Sequence, residues 1–218
     1  MANTQNNETK ERIYKCAKEC FYEKGFSETT FKDISERAGV PSTLITYYFK
    51  KKIQIAADIY SEIYINAQDI INKHQKEYNI NSHLFRQILV SYIYYDCIFS
   101  DENNKRFYME LRKRNVSNYT LTKEVTQKVY ASYIREFNLP ITNEKLRIIL
   151  VMNSAARGGF FNYISENNIK LSVSEIVNTV ESIVPRLMEI DHKILDSYLI
   201  KAQLIIKEID YSSLKFLV

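Results

Sequence analysis

Residues able to carry out catalysis are few and scattered in this chain. Its three histidines, His74, His83 and His192, stand far apart in sequence. No phosphate-cradling glycine loop and no metal-ligand spacing accompanies them, so an all-helical enzyme or ligand carrier is the weaker alternative. Cys16 and Cys20 lie four apart, with Cys97 distant. Without a neighbouring Cys or His they fit small reduced thiols better than a metal site or redox sensor, and neither metal nor cofactor is expected. The remaining chemistry is recognition. Ser42, Thr43, Thr46, Tyr47 and Tyr48 crowd five hydroxyls into one short stretch, and Lys50, Lys51 and Lys52 follow at once. Small hydroxyls and an aromatic ring can approach base edges and phosphates, while lysines attract a polyanion by releasing its counterions.

Two short helices must position these groups. Thr30 and Asp33 have the spacing of an N-cap with its partner, so a helix begins near Phe31. Phe31, Ile34 and Ala38 repeat at helical spacing, leaving Lys32, Asp33, Glu36 and Arg37 to solvent. Gly39 ends that helix because a residue just past a helix often needs positive φ, and Val40 can tuck inward after it. Pro41 and Ser42 restart the chain into a second helix over 42–48, held down by Ile45 and Phe49. Two helices joined by a sharp turn, with hydroxyls on the outer face, form a helix-turn-helix that docks on DNA.

Residues 30–52 resemble the DNA-binding module of the tetracycline-repressor (TetR) family in Thr30, Ile34-Ser35, Ala38-Gly39-Val40-Pro41, Ile45-Thr46, Phe49 and Lys52. Ser35 stands where that family usually has alanine, and Thr46 where it usually has a DNA-touching tyrosine, with Tyr47 and Tyr48 alongside. The resemblance assigns Lys52 a phosphate contact. With Thr30, Ser42, Thr43, Thr46, Tyr47 and Tyr48 it completes the expected DNA-binding set. It further implies an all-α homodimer on a palindromic operator, released by a small apolar or aromatic effector. A DNA-binding activator or nucleoid-associated regulator without an inducer is the nearer alternative.

Composition agrees with a helical chain. Only four glycines and three prolines occur in 218 residues, and a 45% hydrophobic, 26% charged balance is that of an ordinary globular protein. The net charge of +4 is concentrated early, since residues 1–52 hold ten Lys or Arg against seven Asp or Glu. The absence of a signal peptide, polybasic tail or long apolar run predicts a cytoplasmic protein with no membrane partner.

The expected organisation is a three-helix helix-turn-helix head over 1–51 and a helical effector-binding and dimerisation domain over 52–218. Polar residues 1–7 precede a first helix over 8–24 that ends at Gly25. A connecting helix over 52–77 follows, and helices are predicted around 82–99, then after the Ser100–Asn103 break one holding Phe107, Tyr108 and Leu111 with Arg112, Lys113 and Arg114 following, then 120–138 with Val125 on its apolar face, 144–167, 173–184 and 192–210, with Pro185 kinking or breaking the helix over 173–184. Tyr92, Tyr95, Phe99, Phe107, Tyr108, Tyr133 and Phe161 are the candidate ligand-binding residues, against the alternative that they are simple core. Met152, Ala155, Arg157, Gly159, Tyr163 and Val180 are the candidate dimer interface. Asn153 and Arg157 interrupt an apolar stripe at i and i+4 and need partners, either across the interface or on a ligand.

Overall fold

Ten α-helices and no strand make up the described residues of the computed structural model, which describes residues 2–113 and 118–218 and the side chains of 6–113 and 126–218. In chain order they are α1 (Ala2–Glu28), α2 (Phe31–Ala38), α3 (Ser42–Tyr48), α4 (Lys52–Lys73), α5 (His83–Phe99), α6 (Glu102–Lys113), α7 (Asn118–Glu136), α8 (Asn143–Glu166), α9 (Val173–Leu187) and α10 (His192–Ile205). Val125, expected on the apolar face of α7, and Arg114, expected after α6, lie outside the described side chains.

Local chemistry fixes the boundaries. Thr30 and Asp33 form a reciprocal capping box at the start of α2, and Ser172 and Glu175 do the same for α9. Ser82 and Thr142 cap α5 and α8 through their hydroxyls. Gly39 ends α2 in the left-handed region, at φ 62° and ψ 39°. Gly25, at φ 80°, is a non-helical break inside α1, where the sequence reading ends the first helix.

Five boundaries differ from expectation, one of them the last, since α10 ends at Ile205 and not near Asp210. Helix α1 starts at Ala2 rather than near Glu8, and the carboxamide of Asn6 accepts a hydrogen bond from the Tyr48 hydroxyl. Pro41 takes the N-cap position of α3 with no side-chain cap, so Ser42 is the first helical residue. The connecting helix α4 stops at Lys73, and the chain runs through turns that reach positive φ at Asn79 before α5. Pro185 breaks nothing: α9 runs on to Leu187, since a proline this close to the C-terminal end removes a single ladder bond.

Helix α5 is the centre of the molecule. Eleven of its seventeen residues are buried, so it is covered on every side, and it packs against α4, α6, α7, α9 and α10. The first three helices pack as α1 on α2 and α2 on α3, and α1 also lies against α6. After α10 the chain returns to this junction, where Phe216 sits between Tyr60 of α4 and Phe107 of α6 at ring distances of 5.5 and 5.7 Å. The last helix is therefore followed by a tail that is core, with Phe216 and Leu217 both buried.

Candidate DNA-reading face and buried polar cavity

The reading face is built from the α2–α3 turn. Val40 donates its N–H to the Ser35 carbonyl, and the Ser35 hydroxyl returns a bond to the Val40 carbonyl at 2.7 Å. Serine at this position thus clamps the turn, a contact that alanine cannot make. Ile34, Ala38, Ile45 and Phe49 are buried beneath it. Three ion pairs tie α2 to α1, Lys24 with Asp33 and Arg37 with Glu23, each at 2.5 Å, and Arg37 with Glu19 at 3.8 Å. The Lys24 ammonium and the Thr30 donors hold the Asp33 carboxyl well below the usual carboxylate range.

With α3 anchored by Ile45, Ser42, Thr43, Thr46 and Tyr47 are exposed, and Tyr47 is 70% exposed, more than a core-forming tyrosine would be. Tyr48 is half-buried, its ring set edge-on to Tyr47 at 5.1 Å. Thr30 is also exposed, but its hydroxyl is engaged with Asp33 at 2.6 Å. Lys52 departs from expectation. Its ammonium donates to the carbonyls of Phe26, Ser27 (3.4 Å) and Thr29 (2.5 Å) and lies 4.5 Å from the centre of the Phe26 ring. It closes the turn between α1 and α2 instead of facing outward with Lys50 and Lys51, which are exposed.

A second site lies among α4–α9. A cavity of about 90 Å³ is bounded there by side chains of all six helices. Its wall is a continuous polar chain. Tyr64 donates to Gln87 (2.6 Å), Gln87 to Ser91 (3.1 Å), and Ser91 to Glu181 (2.8 Å). Arg157 completes it, donating to Glu181 (2.9 Å), Asn153 (3.0 Å), the Tyr95 hydroxyl (3.1 Å) and the Val180 carbonyl (3.0 Å). Asn153 in turn donates to Tyr130 at 3.2 Å. Burial works against the Arg157 cation, but Glu181 and the surrounding hydroxyls outweigh it and hold the guanidinium more firmly charged than usual. Burial pushes the Tyr130 phenol up to about 12, so it stays protonated at any ordinary pH.

Of the seven aromatic residues expected to line a pocket, Tyr95 does so. Phe99, Tyr108 and Phe161 form a ring cluster with centroids 5.2–5.8 Å apart, which is core beside the cavity. Phe107 packs on Phe21 of α1, Tyr133 is buried beside Tyr130, and the Tyr92 hydroxyl meets Ser174. Arg157 and Val180, expected at a dimer interface, are turned inward: Arg157 is spent on the network, and Val180 is wholly buried. Met152, Ala155, Gly159 and Tyr163 are exposed on α8. The lining residues that sequence reasoning passed over, Tyr64, Gln87, Ser91, Arg112 and Glu181, carry one legible signal. Glu181 stands four after Val177 and three before Val184, and Ser91 three after Ile88, so each interrupts an apolar stripe.

Residues 13–59 match the sequence profile of the bacterial regulatory proteins of the tetR family. Residues 13–59 are thus a TetR-family DNA-binding module, with α2 and α3 as its helix-turn-helix. The same architecture recurs in a TetR-family transcriptional regulator from Streptomyces coelicolor, with 13% identity, 94% of this chain and 90% of that one covered, and a TM-score of 0.54. It recurs also in SmeT, the repressor of the Stenotrophomonas maltophilia multidrug efflux pump SmeDEF, with 16% identity, coverage of 81% and 88%, and a TM-score of 0.51. No curated sequence is significantly similar to this chain. Among its described residues no group of His, Cys, Asp and Glu is placed to hold a metal, and no helix is long and apolar enough to cross a membrane.

Proposed function

We propose that this TetR-family chain is a cytoplasmic one-component repressor that binds a palindromic operator as a homodimer and releases it when a small molecule enters the α4–α9 cavity. The observation that carries the reading is one helix-turn-helix, with its hydroxyl face exposed, on the same chain as a buried polar cavity. Residues 1–51 are the reading head and residues 52–218 the sensing and dimerising body. Ser42, Thr43, Thr46 and Tyr47 read the groove, with Tyr48 and Thr30 at its edge, while Lys50 and Lys51 supply the sequence-independent attraction.

The dimer reading draws on unpartnered apolar side chains. Ile148, Val151, Met152 and Tyr163 on α8, and Ile200 and Leu204 on α10, are all 47–64% exposed. A Cβ added at Gly158 or Gly159 would meet nothing within 4 Å, so the chain's own packing does not demand glycine there and a partner helix has room to approach closely. Two heads related by a twofold axis must meet half-sites about one DNA turn apart, roughly 34–36 Å, or a multiple of it.

Coupling runs through α6. Asp101 accepts from the Tyr22 hydroxyl, Arg106 donates to the Tyr22 and Glu23 carbonyls, and Glu110 accepts the Ser27 N–H at 2.6 Å, all at the end of α1. Arg112 of the same helix lines the cavity. Ligand and operator then oppose each other by a coupling free energy of about 1–3 kcal/mol. A gel shift on the DNA upstream of the chain's own gene, at about 0.15 M salt with competitor DNA, tests the reading. A discrete saturable complex is expected; failure there and in genome-wide selection of bound fragments overturns it.

A further inference from the structure

Arg112 is 5% exposed and lines the cavity, and its Nε and Nη2 atoms are buried without a hydrogen-bond partner. No acidic side chain among the described residues is within ion-pair reach of it. The other lining guanidinium, Arg157, is neutralised by Glu181 at 2.9 Å. Among the described residues the cavity therefore carries one net positive charge. What Arg112 does meet is aromatic, its guanidinium carbon standing 5.1 Å from the Phe161 ring centre and 5.7 Å from that of Tyr108. Cation–π contact offsets only part of the cost, several kcal/mol, of burying a cation that no described acidic side chain pairs. A charge held at that cost next to an empty volume is a binding group awaiting its counter-ion.

We infer that the cavity takes a small organic monocarboxylate, its carboxylate on Arg112 and its apolar remainder against the tyrosine rings, Tyr60, Tyr94 and Tyr95, of the wall. Size points to the shorter acids, since a cavity of about 150 Å³ admits benzene and this one, at about 90 Å³, is smaller. The Tyr60 hydroxyl, buried and without a hydrogen-bond partner, offers a further donor at the same wall. This inference rests on the effector reading of the cavity and narrows its ligand from any apolar compound to an anion.

The test is a thermal-shift series on the full chain with the straight-chain acids from acetate to octanoate, and benzoate, each beside its primary amide, with sodium phosphate at matched ionic strength as control. At least one acid raises the melting temperature at pH 7 while its amide does not. Arg112→Met, which keeps the stem and removes the charge, weakens that acid at least roughly thirtyfold, the equivalent of the ~2 kcal/mol lower bound for truncating one partner of a buried charge pair. Arg112→Lys keeps part of the affinity, and its response shows that a loss in Arg112→Met is not misfolding. The inference is overturned if every acid is silent, if acids and amides act alike, if phosphate matches the best acid, or if Arg112→Met responds like the parent. Operator binding is read separately. An acid that binds through Arg112 without loosening the operator sinks the effector reading alone, whereas silent acids with a neutral compound releasing the operator sink the anion alone.

Discussion

Replacing Lys52 by methionine separates two roles that the sequence does not distinguish. A lysine at the foot of the reading helix invites assignment to a DNA phosphate, yet its ammonium donates to the carbonyls of Phe26, Ser27 and Thr29 and covers the Phe26 ring. Methionine keeps the packing stem and removes the donor and the charge. Hydrogen bonds from a charged group contribute about 1.5–3 kcal/mol, and because Lys52 is only half-buried the loss is set at about 2 kcal/mol. For a chain of this length that lowers Tm by about 4–8 °C in calorimetry at fixed protein concentration. The operator assay gives the complementary answer. A lost phosphate contact lowers the slope of log K against log salt by about 0.9 per chain, but Lys52→Met leaves the slope unchanged. An unaltered Tm with a reduced slope would refute the reasoning and return Lys52 to the DNA.

Tyr47→Ala leaves Tm within about 2 °C, because an exposed side chain contributes within ±0.5 kcal/mol, but weakens operator binding by at least about fivefold, the ~1 kcal/mol lower end for one lost base contact; gel shift and calorimetry on one preparation check both. Glu181→Ala strands the buried Arg157 cation and costs about 3–5 kcal/mol in urea unfolding, whereas surface Glu189→Ala, whose nearest cation is 3.8 Å away, costs under about 1 kcal/mol. Burial pushes the Cys97 thiol up to about 11, and burial raises Cys16 and Cys20 as well, so iodoacetamide at pH 7.5 labels all three slowly until denaturant is added. Tyr163→Asp on α8 leaves the fold intact and shifts sedimentation toward the monomer.

The head was more legible in the sequence than the cavity for a physical reason. Capping and turn formation are local: Thr30 with Asp33, Gly39 at positive φ and Ile45 on the inner face need only neighbours within a few residues. The cavity is assembled from six helices, and each contributes residues that look ordinary in their own segment. Aromatic side chains were the visible signal, but they filled the volume between helices as any core does, so Phe99, Tyr108 and Phe161 became wall backing. The polar wall of the cavity comes instead from the interruptions, Ser91, Arg112, Arg157 and Glu181, each a polar residue at an apolar position. Asn153 and Arg157 were visible as such interruptions, yet the sequence alone left open whether a second subunit or the chain itself satisfied them. Lys52 shows the same limit, since its partners are backbone carbonyls 23–26 residues earlier.

In the proposed mechanism α6 is the link between the cavity and the reading head. Twelve residues at 1.5 Å each make a rod of about 18 Å. Glu110 and Arg112 are two positions apart, roughly 200° around that rod, so they face opposite ways: one toward α1 and one toward the cavity. Glu110 fits because Gly25 has no side chain; a Cβ there would stand 2.5 Å from the carboxylate oxygen. Any ligand that draws Arg112 inward therefore turns or slides the surface that holds Ser27 and the Phe21–Phe107 contact, whose rings are 5.1 Å apart. Packed interfaces of this kind switch between arrangements and do not stretch. Glu110→Ala removes the latch without touching the cavity wall. It leaves the affinity for the best-binding acid unchanged and brings the ratio of operator affinities, without and with that acid, toward one. By linkage the operator must then lose its own effect on acid binding to the same degree. A ratio unaltered in Glu110→Ala would show that the signal reaches the head through α4 instead.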